Sequence, residues 1–133
     1  MKICIVVSDY YKKISNNLLK GSLQVLKKKG FSKIEIKYTS GAYEIPRIIS
    51  NNLKKYNAFI ALGCIIKGET DHYHFISQAV SMGLMNISIK SKKPIGFGVL
   101  TCNNLKQAEN RASTSKKNKG KEVALAIISS LKN

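Results

Sequence analysis

The chain has 133 residues, 44% of them hydrophobic, and a formal net charge of +16. That length fits one domain, 1–133, able to bury roughly two-thirds of the surface its unfolded form exposes. No apolar run approaches the ~20 residues of a membrane span, and the opening Met1–Asp9 turns polar too early for a secretory leader. A cytoplasmic location with no membrane partner is expected.

The charge invites a nucleic-acid reading, but the residue types oppose it. All but two of the 23 basic residues, Arg47 and Arg111, are lysine, spread through every segment. Surfaces that grip phosphates or base edges lean on arginine's planar fork, so no specific nucleic acid is expected. A basic binding module for RNA stays as a rival from another class. It would bind tightly at low salt and lose affinity steeply as salt rises. Three cysteines, Cys4, Cys64 and Cys102, with no CxxC spacing read as reduced thiols, and Cys4 and Cys64 sit inside apolar runs as small buried hydrophobes.

In chain order, Ile3–Val7 is a short apolar run and predicts a buried strand. Ser15 is placed to cap a helix with Leu18, Leu19, Leu23 and Leu26 on its apolar face and Gly30 at its end. Ile34–Thr39 alternates and predicts a second strand. Pro46 fits the first turn of a helix running to about Lys55. Ala58–Ile66 is nearly all apolar and predicts a central third strand. Asp71 is placed to cap a long helix whose face is Ile76, Ala79, Val80, Leu84 and Ile87. Pro94 precedes a fourth strand, Ile95–Thr101, followed by helices at Asn104–Ala112 and Gly120–Leu131.

Strand and helix alternating four times imply a parallel sheet covered on both faces by right-handed crossovers. The expected fold is α/β, a flavodoxin-like three-layer sandwich with a four-stranded parallel sheet. In such sheets ligands bind beyond the carboxyl ends of the strands. That rule selects the loops Ser8–Lys12, Ser40–Glu44, Ile65–His72 and Thr101–Asn104.

Within Ser40-Gly41-Ala42-Tyr43-Glu44-Ile45-Pro46 an acid and an aromatic meet a helix start, with small residues that admit a close ligand. Read blandly, this is a tight turn with Glu44 complementing the helix dipole. In Ile66-Lys67-Gly68-Glu69-Thr70-Asp71-His72, free backbone N–H groups and a hydroxyl at a helix start make an anion site. The P-loop spacing and the GxGxxG fingerprint are both absent. His72 carries the one side-chain type that ordinarily exchanges protons near neutral pH, although a lone histidine is more often structural. His74, two positions on, faces elsewhere on a helix, so the pair is a poor metal site. Arg111, followed by Lys116, Lys117 and Lys119, reads either as a solvated basic loop or as an anion clamp.

Four blocks in order carry a resemblance. Ser40–Pro46 is similar to the PGAFEIP turn of the lumazine synthases. Leu62–Tyr73 is similar to their LGxVIRGxTxHY segment. Phe97–Thr101 with Gln107-Ala108 and Arg111-Ala112 is similar to FGVLTxxxxxQAxxRA, and Asn118-Lys119-Gly120 to the NKG that opens the last helix. The resemblance covers about Ile3 to Leu131.

The resemblance implies a riboflavin-pathway reaction. 5-Amino-6-(D-ribitylamino)uracil and 3,4-dihydroxy-2-butanone 4-phosphate condense to 6,7-dimethyl-8-ribityllumazine with release of phosphate and water. It implies that Tyr10 stacks on the pyrimidine and that Ala42, Tyr43 and Glu44 hold the ribityl chain. Cys64, Ile65 and Ile66 would line the heterocycle pocket, Glu69 and Thr70 would bind phosphate, and His72 would shuttle protons. Phe97, Arg111 and Lys119 would come from an adjacent subunit. The assembly implied is a homo-oligomer, a pentamer or a sixty-subunit shell of pentamers, with neither metal nor organic cofactor. Ser40, Tyr11, Lys67, Asp71 and Ser113 depart from the family pattern. The archaeal-type riboflavin synthases are the nearest rival, but their reaction has no phosphate to bind.

Overall fold

The computed structural model describes residues 1–68 and 71–132. Among these residues four strands and five α-helices alternate: β1 (Lys2–Ser8), α1 (Lys12–Lys28), β2 (Lys33–Thr39), a 3₁₀ turn (Ala42–Glu44), α2 (Ile45–Asn51), β3 (Ala58–Ile66), α3 (His72–Ser91), β4 (Ile95–Cys102), α4 (Leu105–Ala112) and α5 (Lys119–Ser130). The strands form one parallel sheet in the order β2-β1-β3-β4. β1 pairs with β2 from Lys2↔Lys33 to Ser8↔Thr39 and with β3 from Ile3↔Ala58 to Val7↔Leu62. The architecture is the three-layer α/β sandwich that the alternation predicts.

The period of two divides the sheet's side chains between two cores. Ile3, Ile5, Val7, Ile60, Leu62 and Cys64 point to the side covered by α1, α4 and α5. Cys4, Val6, Phe59 and Ala61 point to the side covered by α2 and α3. Ile3 to Val6 are fully buried, and each such aliphatic side chain contributes about 1.5–3 kcal/mol.

Several helix ends differ from expectation. α1 begins one turn before Ser15, because Ser15 N–H already bonds to Tyr11 O at 2.9 Å, an intrahelical bond. The buried Ser15 hydroxyl instead donates to Ser8 O and ties the helix to the end of β1. α2 stops at Asn51 rather than near Lys55, since Asn52 folds its amide back to donate to Ile48 O at 2.7 Å. Asp71 stands at the start of α3 but makes no side-chain cap. Its φ of −72° and ψ of −1° are helical, whereas a residue that caps through its side chain typically has non-helical backbone. On α3, Val80 and Leu84 are buried and Ile76 and Ile87 half-buried, whereas Ala79 faces outward. α4 carries a reciprocal cap: Asn104 accepts from Gln107 N–H and Gln107 accepts from Asn103 N–H, both at 2.8 Å.

Two glycines have structural reasons. Gly30, at φ +91°, closes α1 while Phe31 N–H bonds to Leu26 O at 3.0 Å. Gly120 lets α5 lie against α1: a Cβ there would sit 2.1 Å from Leu18 O, and Ser22 donates to Gly120 O at 2.7 Å. Because the obstacle is backbone, Gly120→Ala must push the two helices apart. Urea unfolding is expected to show a loss of about 1–3 kcal/mol, and an unchanged midpoint would refute the close contact.

Candidate active site

The strand order reverses between β1 and β3, since β2 lies on one side of β1 while β3 and β4 lie on the other. The loops leaving β1 and β3 therefore diverge, and the space they leave is the expected ligand crevice. A cleft of about 710 Å³ opens there, lined by Tyr10, Tyr11, Gly41–Glu44, Cys64–Ile66, His72 and Ile76. Such a volume suits a small organic molecule.

Each wall follows from local structure. Tyr10 is 73% exposed, with its ring edge-to-face against Tyr11 at 4.9 Å, which leaves one aromatic face open for stacking. The 3₁₀ turn directs Glu44 back over Gly41, where a Cβ would lie 2.7 Å from the Glu44 carboxylate. Glu44 Oε2 is buried and has no hydrogen-bond partner among the described residues. A desolvated carboxylate oxygen left in this way calls for a donor from a ligand, and a polyhydroxylated chain supplies such donors. His72 is the first residue of α3 and faces the cleft.

Cys64 forms part of the floor, and its thiol is pushed up to about 12, first by burial and then by Cys102, against a lowering influence of Arg111. Thiolates, not thiols, are nucleophiles, so Cys64 serves as a small apolar wall. Tyr11 is shifted upward as well, first by burial and then by Tyr10 and Cys64, and its phenol remains a neutral donor.

A second cavity, of about 610 Å³, lies between α4 and α5 and is lined by Asn104, Lys106, Gln107, Asn110, Arg111, Lys117, Lys119 and Glu122. Arg111 Nη1 points toward the end of β4, 3.4 Å from Thr101 O and 3.6 Å from Cys102 Sγ. Lys119 pairs with Glu122 at 3.0 Å. Phe97, 43% exposed, borders a third and smaller cleft, of about 200 Å³, beside Leu84 and Met85.

Of the residues singled out in the sequence, Tyr10, Ala42, Tyr43, Glu44, Cys64, Ile65, Ile66 and His72 therefore share one cleft. Arg111 and Lys119 share another, and Phe97 lies apart from both. Glu69 and Thr70 fall outside the described residues. Three lining residues were not among the candidate site residues: Gly41, read as a small residue admitting a close ligand, Ile76 and Tyr11. Ile76 reads as core from its periodicity, and Tyr11 reads as a departure beside Tyr10, although its place in the selected β1 loop was the available signal.

The fold and this crevice define the chain as an α/β enzyme of the doubly wound type that handles a small organic substrate at the ends of β1 and β3. The family model for 6,7-dimethyl-8-ribityllumazine synthase matches residues 1–133. Curated proteins bearing that name agree. The one from Buchnera aphidicola subsp. Baizongia pistaciae (strain Bp) is 50% identical over 131 residues, spanning 95% of this chain and 82% of that protein. The one from Blochmanniella pennsylvanica (strain BPEN) is 43% identical, over 96% and 84% of the two chains. The one from Limosilactobacillus reuteri (strain DSM 20016) is 38% identical, over 96% and 85%. The chain belongs to the 6,7-dimethyl-8-ribityllumazine synthase family.

The floor of the cleft makes a checkable statement about pH. Cys64 keeps its proton in the folded state up to about 12, against 9.0 for a free thiol. Above pH 9 the unfolded chain binds fewer protons than the folded one, so this thiol's contribution to stability falls as pH rises from 9 toward 12. The stability difference between wild type and Cys64→Ala should therefore shrink by up to ~1.4 kcal/mol per pH unit above pH 9. Urea unfolding of both proteins at pH 8, 9 and 10 measures it, and a constant difference would contradict the burial of a neutral thiol.

Proposed function

We propose that the chain carries out its family's condensation at a composite site, one half being its own crevice between β1 and β3 and the other half the basic cavity of a neighbouring copy. The reaction is a transferase step of riboflavin biosynthesis, joining 5-amino-6-(D-ribitylamino)uracil to 3,4-dihydroxy-2-butanone 4-phosphate to give 6,7-dimethyl-8-ribityllumazine. The observation that carries the composite reading is the division of the candidate residues. The crevice holds acceptors, aromatics and an imidazole, while the strong cations Arg111 and Lys119 line a separate cavity.

In this reading Tyr10 stacks on the pyrimidine, and Cys64, Ile65 and Ile66 form the wall against the heterocycle. Glu44, with Ala42 and Tyr43, receives the ribityl hydroxyls. The aryl amine attacks the ketone carbon, and loss of water gives an imine. His72 takes a proton from the carbon beside that imine and the C–O bond to phosphate breaks; the enol so formed takes a proton at its terminal carbon to become a methyl ketone, and the second amine closes the ring on that new carbonyl with loss of water. Phosphate departs toward positive charge already aimed at it, supplied by Arg111 and Lys119 with the backbone and hydroxyl of Glu69 and Thr70. Phe97 closes the pocket from the neighbour. Holding two reactants together supplies most of the remaining acceleration.

The assembly we infer is a ring of five copies, each completing the next through the same heterologous contact. The outer side of α3 supports a partner: Phe75, Met82, Met85 and Ile89 stand 58–69% exposed on a helix whose other side is already in the core. A helix apolar on both sides is one that is covered on both. No described helix is long and apolar enough to cross a membrane, so this apolar stripe is not read as a span. We place the protein in the cytoplasm, where the three buried, unpaired cysteines would stay reduced.

Replacing His72 with alanine should slow turnover by roughly 10²-fold while substrate binding is largely kept. Stopped-flow detection of the fluorescent lumazine tests this, and wild-type turnover across neutral pH would remove the proton-shuttle role. For the composite site, two impaired variants, His72→Ala and Arg111→Ala, are mixed after reversible dissociation. Interfaces that carry neither lesion should restore part of the activity. No recovery despite demonstrated subunit exchange would mean that each chain holds a whole site.

A further inference from the structure

The last residue of β4 touches two segments assigned above to phosphate. Cys102 is 1% exposed. Its carbonyl accepts the N–H of Lys67 at 2.9 Å, where the chain leaves β3 for the turn leading to His72. Its sulfur lies 3.6 Å from Arg111 Nη1, and the carbonyl of Thr101 lies 3.4 Å from the same nitrogen.

An arginine side chain is long and loses much rotamer freedom when it is held in one direction. Two acceptors from one strand end, both bonded to a single Nη, restrict that freedom before any ligand arrives. The other guanidinium donors remain available to an anion. A thiol sulfur is a weak acceptor, but a cationic donor strengthens the bond, and the buried sulfur has little water competing for it.

We propose that Cys102 is a positioning residue for the reaction, holding the Arg111 guanidinium through its sulfur in the direction from which phosphate is received. The proposal rests on the assignment of Arg111 to phosphate made above. Cys102 acts only through that arginine and touches neither substrate.

The test compares Cys102→Val, which removes the acceptor but suits a strand, with Cys102→Ser, which keeps one. Arg111→Ala is measured beside them. Inorganic phosphate is titrated calorimetrically into each assembled protein, and KM is measured for both substrates. Loss of one modest hydrogen bond corresponds to about fivefold. Cys102→Val should weaken phosphate binding by about that factor and raise KM for the phosphorylated ketone equally, leaving KM for the ribityl-uracil unchanged. Cys102→Ser should bind phosphate as wild type does. If Arg111→Ala keeps wild-type phosphate affinity, the phosphate assignment itself fails. If Arg111→Ala loses affinity while Cys102→Val stays within twofold of wild type, the assignment stands and the role of Cys102 is overturned. Equal losses in the Val and Ser variants also overturn it, because packing rather than the acceptor would then be the cause. Should Cys102→Val not fold, Cys102→Ala enters the same comparison under the same criteria.

Discussion

β1 is hydrogen-bonded along both edges, to β2 and to β3, and covered on both faces. A strand in that position has no freedom of register: a shift by one residue would exchange the side chains of the two cores and break both ladders at once. The end of β1 is therefore fixed at Ser8, and the buried Ser15 hydroxyl on Ser8 O fixes where α1 departs. Because neighbours lie on opposite sides of β1, the loops after β1 and β3 part from each other. The crevice is a consequence of strand order rather than of any one loop.

That origin explains how the site divides its chemistry. The crevice walls come from several strand ends, and they combine a buried carboxylate oxygen, a neutral thiol, phenols and an imidazole. These groups suit a neutral, hydroxylated heterocycle. The cations gather on and between α4 and α5, on the face of the sheet that α1 also covers. Opposite charges placed in one small cavity would pair with each other, as Lys119 already does with Glu122. Arg111 and Glu44 line different cavities of the same chain, so in the proposed composite site the one is left as a donor and the other as an acceptor.

The chain's high charge is carried mostly by scattered lysines. The ion pairs described are Lys13–Glu109, Lys37–Glu35 and Lys119–Glu122, at 3.7, 3.6 and 3.0 Å, and exposed pairs of this kind contribute little. Stability rests instead on the two apolar layers and on close contacts such as Gly120 against Leu18. The excess charge bears on solubility and on attraction of anionic substrates rather than on the fold.

Much of this was legible in the residues. The short apolar run Ile3–Val7, the long one at Ala58–Ile66 and the helical spacing between them specify the α/β layers, because burial on one or two faces imposes a period that one sequence can display. Loop residues such as Ala42–Glu44 and His72 could be selected because strand ends are where backbone and polar groups stay open. Caps were less legible. Ser15, Asp71 and Asn52 can each bond in several ways, and only the packed backbone decides whether a hydroxyl caps its own helix or reaches Ser8 O. The sequence by itself determined which side chains are apolar, which are able to titrate, and in what order the elements come. Tertiary structure alone decided that Tyr11 and Ile76 join the crevice, that Arg111 leans on Cys102, and that Arg111 and Lys119 stand outside the cleft holding Glu44. Those facts depend on distances between segments remote in sequence, and such distances exist only once the sheet has brought the segments together.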